Sequence, residues 1–180
     1  SQMIINRSYM LNAAPIKHMI SEKKKFDGCS YGMSEAGYDI RIAEDINFYP
    51  QQQKWLGLRT IPAKIIRWGK NAEWQDPTIQ GNFCLASTLE EFHMPDNLVG
   101  IVHDKSTWAR RGLSVFNTVI EPGWSGFLTL ELVFNGNEPI KIASGTGIAQ
   151  VIFHQAIQSA HYDGKYQNAK AGPQPAIEEK

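Results

Sequence analysis

Short apolar or alternating runs, each closed by a turn signal, constrain this chain more than any other feature. They occupy residues 37–42, 63–68, 82–87, 98–103, 113–119, 126–134, 139–142 and 148–154. In "GYDIRI" (37–42), Tyr38, Ile40 and Ile42 alternate with Asp39 and Arg41, the two-residue period of a strand. Between the runs stand Gly81-Asn82, Pro95-Asp96-Asn97, Pro122-Gly123, Asn135-Gly136-Asn137 and Ser144-Gly145-Thr146-Gly147. Such residues supply positive φ, fixed φ or local side-chain hydrogen bonds, which is how a chain reverses direction. The pattern predicts an all-β fold, a barrel or sandwich with a few short helices.

Helix is expected at the margins of that pattern. Residues from about 3 to 24 read as helical in part, with Met10, Leu11, Ile16, Met19 and Ile20 as the apolar set and Pro15 suited to a first turn. The run "STWARRGL" (106–113) predicts a short helix capped by Ser106 and ended by Gly112. From about 163 to 180 the chain is polar and carries Gly164, Gly172, Pro173 and Pro175. That tail is expected to be mobile, or ordered by a partner or ligand. No repeat or linker divides residues 1–180, so a single domain is predicted.

Charge and cysteine use narrow the function classes. Eighteen Lys and Arg balance eighteen Asp and Glu in 180 residues, whereas phosphate neutralisation along a nucleic-acid polymer calls for a basic excess. A small anion needs only a few local cations. Cys29 and Cys84 form no CxxC pair and read as buried reduced thiols. With no long apolar run and no leader pattern, a cytoplasmic protein without membrane attachment is expected. The five histidines are scattered, and neither HExxH nor HxE with PCxxC occurs, so no catalytic zinc is expected.

Five stretches carry candidate chemistry. In "HDKSTWARRGL" (103–113), Lys105, Ser106, Thr107 and Arg110 put two cations and two hydroxyls at a helix start. That set serves equally as a phosphate cradle or as a capped helix with solvated bases. In "NTVIEPGWSG" (117–126), Glu121 stands before a Pro-Gly turn, either on a plain hairpin or beside a planar ligand read by backbone groups. In "WSGFLTLEL" (124–132), Leu128, Leu130 and Leu132 share one face while Phe127, Thr129 and Glu131 share the other. Glu131 is then a solvated charge or a site residue. In "GTGIAQVIFH" (145–154), Gln150 is an amide among apolar neighbours that needs partners if buried. The tail stretch "HYDGKYQ" (161–167) adds Tyr162 and Lys165, to close over a ligand or to remain solvated.

Taken together and in order, these stretches resemble the dCTP deaminase branch of the dUTPase-like superfamily. The resemblance spans roughly residues 35–168. Its most specific part is the K-S-T-x-x-R block followed by P-G-W-x-G-x-x-T-L-E. It implies a distorted, jelly-roll-like β-barrel in a homotrimer with active sites at subunit interfaces. It implies zinc-independent hydrolysis of dCTP to dUTP and ammonia, with Mg²⁺ arriving on the triphosphate. Carried over residue by residue, Glu131 is similar to the catalytic glutamate, assisted by Ser106 and Arg110. Lys105, Ser106, Thr107 and Arg110 are similar to the nucleotide-binding block. Glu121 stands where the family usually has an aspartate near the deoxyribose. Thr129 and Leu130 are similar to backbone contacts to the base. Gln150, Tyr162 and Lys165 are similar to ligands of the triphosphate and its closing tail. In such a site, burial would raise the Glu131 pKa and a nearby Arg110 would lower it.

Two departures bear on activity. The chain reads "TVIEPG" where the deaminases typically have T-A-x-x-I-D-P-G, a shorter connection that is closer to a dUTPase hairpin. It also reads "KYQNA" where they often have K-Y-Q-x-Q, so Ala169 lacks an amide. The alternatives to a deaminase are a bifunctional deaminase–diphosphatase, a dUTPase using Glu121 as base, and a non-catalytic nucleotide-binding regulator. A glutamate at 131 favours deamination.

Overall fold

A computed structural model describes residues 3–54, 59–69 and 77–179; Lys180, the end of the expected tail, lies outside them. Helix α1 (Arg7–Ala13) is followed by β1 (Lys23–Phe26), β2 (Cys29–Met33), β3 (Tyr38–Arg41), β4 (Asp45–Tyr49), β5 (Gln52–Lys54), β6 (Arg59–Ile61), β7 (Lys64–Trp68), β8 (Thr78–Gln80), β9 (Phe83–His93) and β10 (Leu98–Asp104). Helix α2 (Ser106–Ala109) then precedes β11 (Leu113–Val115), β12 (Val119–Ile120), β13 (Ser125–Phe134), β14 (Ile140–Ile142) and β15 (Gly147–Gln155). The mainly-β expectation is met, and strands begin and end at the turn signals.

Within 3–24, helix is limited to α1. Ala14 takes a left-handed φ of 49° and donates its N–H to Met10 O, and Pro15 disfavours helical geometry in the residue before it. Pro15 therefore follows the helix instead of opening one. Ile16 next bridges Phe92 on β9 and is buried against it.

The strands form sheets of order β1-β2-β3-β15-β10-β12, β11-β13-β9 and β14-β4-β7-β8, plus the β5-β6 pair. Two of these sheets are joined where β3 ends. Ile42 bridges Thr88, and Ala43 donates its N–H to Ser87 O. Buried carboxylates secure that corner. Arg41 Nε donates to Glu90 Oε1 at 2.8 Å, and Glu44 accepts from Ser87 N–H at 2.9 Å and Ser87 Oγ at 2.6 Å. Carboxyl groups taken out of water keep their place only with such partners. Opposite, the β9–β13 register shifts between Phe127/Glu91 and Thr129/Ser87. Thr88 Oγ1 covers the break, donating to Glu90 O and accepting from Leu128 N–H. Leu130, Leu132, Ile40, Ile42, Val151 and Phe153 meet in one core; burying each contributes about 1.5–3 kcal/mol before entropy is counted.

Candidate active site

The half-buried side of β13 carries Phe127, Thr129, Glu131 and Val133, while Leu130, Leu132 and Phe134 face the core. Strand alternation alone places Glu131 there. Leu85 of β9 is its cross-strand neighbour, and Phe116 N–H donates to Glu131 O at 2.9 Å. Two exposed phenylalanines flank it: Phe116, 60% exposed, and Phe83, 49% exposed and paired to Val133. Burial alone pushes the Glu131 carboxyl above the ordinary glutamate range. Among the described residues, no hydrogen bond or ion pair reaches that carboxylate.

The expected lowering by Arg110 does not occur within one chain. Arg110 instead turns its Nε–H back to Ser106 Oγ at 3.0 Å. The capping expectation for Ser106 changes with it. The cap position falls on Lys105, no side chain caps α2, and Ser106 is the first helical residue with its hydroxyl on Arg110. Gly112 ends the turn with φ +94°. Ser106, Thr107 and Arg110 are exposed, whereas Trp108 is buried beneath them and donates its indole N–H to Gly147 O at 2.9 Å.

Lys105 points inward. Its ammonium lies 3.1 Å from Asp39 Oδ2 and donates to Ser30 Oγ at 2.9 Å, and Ser30 donates to Asp39 in turn. The pair ties α2 to the β2–β3 hairpin. Asp39 is a site-supporting residue that sequence reasoning passed over. It lies on the strand face opposite Tyr38 and Ile40, and the sheet buries both faces of β3 over Tyr38–Ile40. Gln150 finds its partner nearby, donating to Ser34 Oγ at 2.6 Å.

Glu121, Tyr162 and Lys165 lie at the other end of β13. Glu121 is exposed, and its carbonyl accepts from Trp124 N–H across the Pro-Gly turn. Tyr162 N–H donates to Pro122 O, and Lys165 reaches Ile177 O at 2.8 Å. The tail then runs back along its own strand. Asn168 N–H donates to Ser125 O, Phe127 N–H to Ala169 O, and Gln174 N–H to Thr129 Oγ1. Gln167, which carried no assigned role in the sequence, anchors this return. Its amide donates to Gly123 O and Tyr162 O and accepts from Ser125 N–H.

One chain therefore gathers the predicted residues into separate groups. Thr129, Leu130 and Glu131 share β13. Lys105, Ser106, Thr107 and Arg110 surround α2, with Gln150 on the adjoining sheet. Glu121, Tyr162 and Lys165 attend the hairpin and tail. No three His, Cys, Asp or Glu side chains among the described residues stand close enough to hold a metal ion. No helix among them is long and apolar enough to cross a membrane.

A family model described as dCTP deaminase-like matches residues 10–156. A dCTP deaminase of Campylobacter concisus (strain 13826) is 33% identical over 156 residues, covering 82% of each chain. One of Protochlamydia amoebophila (strain UWE25) is 35% identical over 150 residues, covering 78% of this chain and 74% of that one. Among solved structures, native EIAV dUTPase aligns with a TM-score of 0.47 at 21% identity, covering 85% of this chain and 92% of that one.

Proposed function

The chain belongs to the dCTP deaminase-like family, and on that premise we propose that it hydrolyses dCTP to dUTP and ammonia, with Glu131 as the proton-shuttling carboxylate. The observation that carries this reading is the Glu131 carboxyl itself: half-buried, its pKa raised by desolvation, and without a partner among the described residues. A carboxyl whose pKa is raised by burial is suited to take a proton from water and return it.

The chemistry follows in order. Water attacks C4 of the cytosine and loses a proton to Glu131. Glu131 passes that proton to N3, giving a tetrahedral intermediate that carries a hydroxyl and an amino group on C4. Glu131 then takes the C4 hydroxyl proton and delivers it to N4, the C4–N4 bond breaks, ammonia leaves, and the C4 carbonyl of dUTP forms. Thr129 and Leu130 contribute backbone contacts to the base in this reading, and Glu121 lies toward the deoxyribose. Ser106, Thr107 and Arg110 take phosphate oxygens, with Ser106 also orienting the water. Lys105 joins them by exchanging the Asp39 carboxylate for a phosphate oxygen. Gln150, Tyr162 and Lys165 complete the triphosphate side, and Mg²⁺ travels with the substrate.

The site is proposed to close between copies of a cytoplasmic homotrimer. Support comes from the distance in roles: Glu131 and Arg110 share no interaction in one chain, and the exposed Phe116 and Phe83 beside Glu131 are suited to burial by a neighbouring copy. Incubation with dCTP and separately with dUTP tests the activity. Ammonia from dCTP without pyrophosphate is expected. Ammonia together with pyrophosphate indicates the bifunctional enzyme, and pyrophosphate from dUTP alone refutes deamination in favour of a Glu121-based diphosphatase.

A further inference from the structure

Asn117 sits between the end of β11 and the start of β12. Backbone pairing of β11 with β13 stops at Val115 and Leu132, and Phe116 N–H makes one further bond, to Glu131 O. Beyond that point the edge of β13 turns the N–H of Glu131 and the C=O of Thr129 to the same side, because alternate residues of a strand face the same neighbour. The chain leading to β12 does not continue the ladder there. Asn117 covers both groups with one side chain. Its Nδ2 donates to Thr129 O at 2.8 Å, and its Oδ1 accepts from Glu131 N–H at 3.1 Å. A carboxamide carries an acceptor and a donor side by side, as a peptide group does, so it serves as a missing rung.

The two bonds clasp the backbone on either side of Leu130. Together with the Phe116 bond they hold Glu131 by both its N–H and its C=O. They also hold the 116–118 loop at a set distance from the carboxylate. Few side chains meet this demand. Alanine makes neither bond. Aspartate keeps the size and the acceptor, but loses the donor and sets a charge against the Thr129 carbonyl. Glutamine is one methylene too long to keep both bonds without moving the loop.

We propose that Asn117 is a positioning residue for the reaction: its carboxamide fixes the backbone of Glu131 and the adjoining loop in one relative geometry, without touching the substrate. The proposal rests on the assignment of Glu131 as the proton shuttle. Its signature is a loss in kcat, since a group that aligns the proton acceptor acts on the chemical step more than on nucleotide affinity. A displacement of about 1 Å at a reacting group can cost on the order of a hundredfold in rate.

The test compares wild type, Asn117→Ala and Asn117→Asp in ammonia release from dCTP, with kcat and KM determined separately and thermal unfolding followed alongside. Both variants are expected to lose about tenfold to a hundredfold in kcat with KM within about threefold of wild type. Asn117→Asp, the closest in size, keeps the test open if Asn117→Ala does not fold. A kcat within twofold of wild type in Asn117→Asp overturns the proposal. So does a fall in KM at unchanged kcat, which would make the amide a mere competitor for the strand edge. Wild-type protein that releases no ammonia from dCTP overturns the functional reading instead, and a Glu131→Gln variant with full activity overturns the role of Glu131 alone.

Discussion

Lys105 and Asp39 form a buried ion pair, 3.1 Å apart, with side chains 11% and 6% exposed. A cation expected to meet phosphate is thus held from below by a carboxylate of the sheet. Removing one partner of such a pair leaves an uncompensated charge and costs about 3–5 kcal/mol. Asp39→Asn should therefore lower the melting temperature by several degrees or more, at about 2–4 °C per kcal/mol for a chain of this size. Calorimetry checks it, and an unchanged melting temperature would show that the pair adds no net stability.

Replacing Glu131 by glutamine removes the proposed shuttle and keeps the shape. The kcat for ammonia release should fall by about 10²–10⁴-fold, while unfolding at neutral pH changes little. Binding of dCTP, followed by calorimetry, should persist, which separates chemistry from folding.

The pH dependence has a definite sign. Burial raises the Glu131 pKa, and the carboxyl must be ionised to accept a proton from water. The acid limb of kcat/KM is therefore expected above about pH 4.3, the ordinary glutamate value. Stability runs the opposite way. Between the ordinary and the raised pKa the folded chain holds the proton more tightly, so this contribution is present at low pH and lost as pH rises through the folded value. Glu131→Gln should flatten both trends, as rate profiles and melting curves across acid pH would report.

Gly147 offers a steric test of the α2 platform. An added Cβ would collide with the Ser30 carbonyl and touch the Lys105 stem, and Gly147 O accepts the Trp108 indole N–H. Gly147→Ala should cost about 1–3 kcal/mol, as overpacking does. It should also raise KM for dCTP by moving Ser106 and Arg110. Denaturant midpoints and steady-state kinetics measure the two effects.

Both thiols should be inert in the native protein. Burial pushes Cys84 up to about 12 and raises Cys29 as well, and the reactive species is the thiolate. A thiol reagent at pH 8 should modify neither until denaturant is added. Rapid native labelling of Cys84 would contradict its burial.

Much of this was legible along the chain because strand periodicity is local. "GFLTLELVF" specifies by alternation that Leu130 and Leu132 share the face opposite Glu131, and the Pro-Gly and Ser-Gly-Thr-Gly turns mark where strands reverse. The short helix was visible too, but not its cap. A helix this short has little intrinsic stability to favour one capping arrangement, so the Arg110 guanidinium took the Ser106 hydroxyl. Asn117 lay in a quoted stretch without a role, because its two bonds go to residues beyond the hairpin turn.

The sequence by itself determined the mainly-β architecture, the apolar faces and the family, since those depend on residue type and near spacing. Only the tertiary structure decided which polar groups are buried together. Lys105 with Asp39, Arg41 with Glu90, and Asn117 with the Glu131 backbone are each joined between segments well separated along the chain. The cost of burying an unpaired polar group selects those partners, and no local period encodes a partner that folding brings from another sheet position.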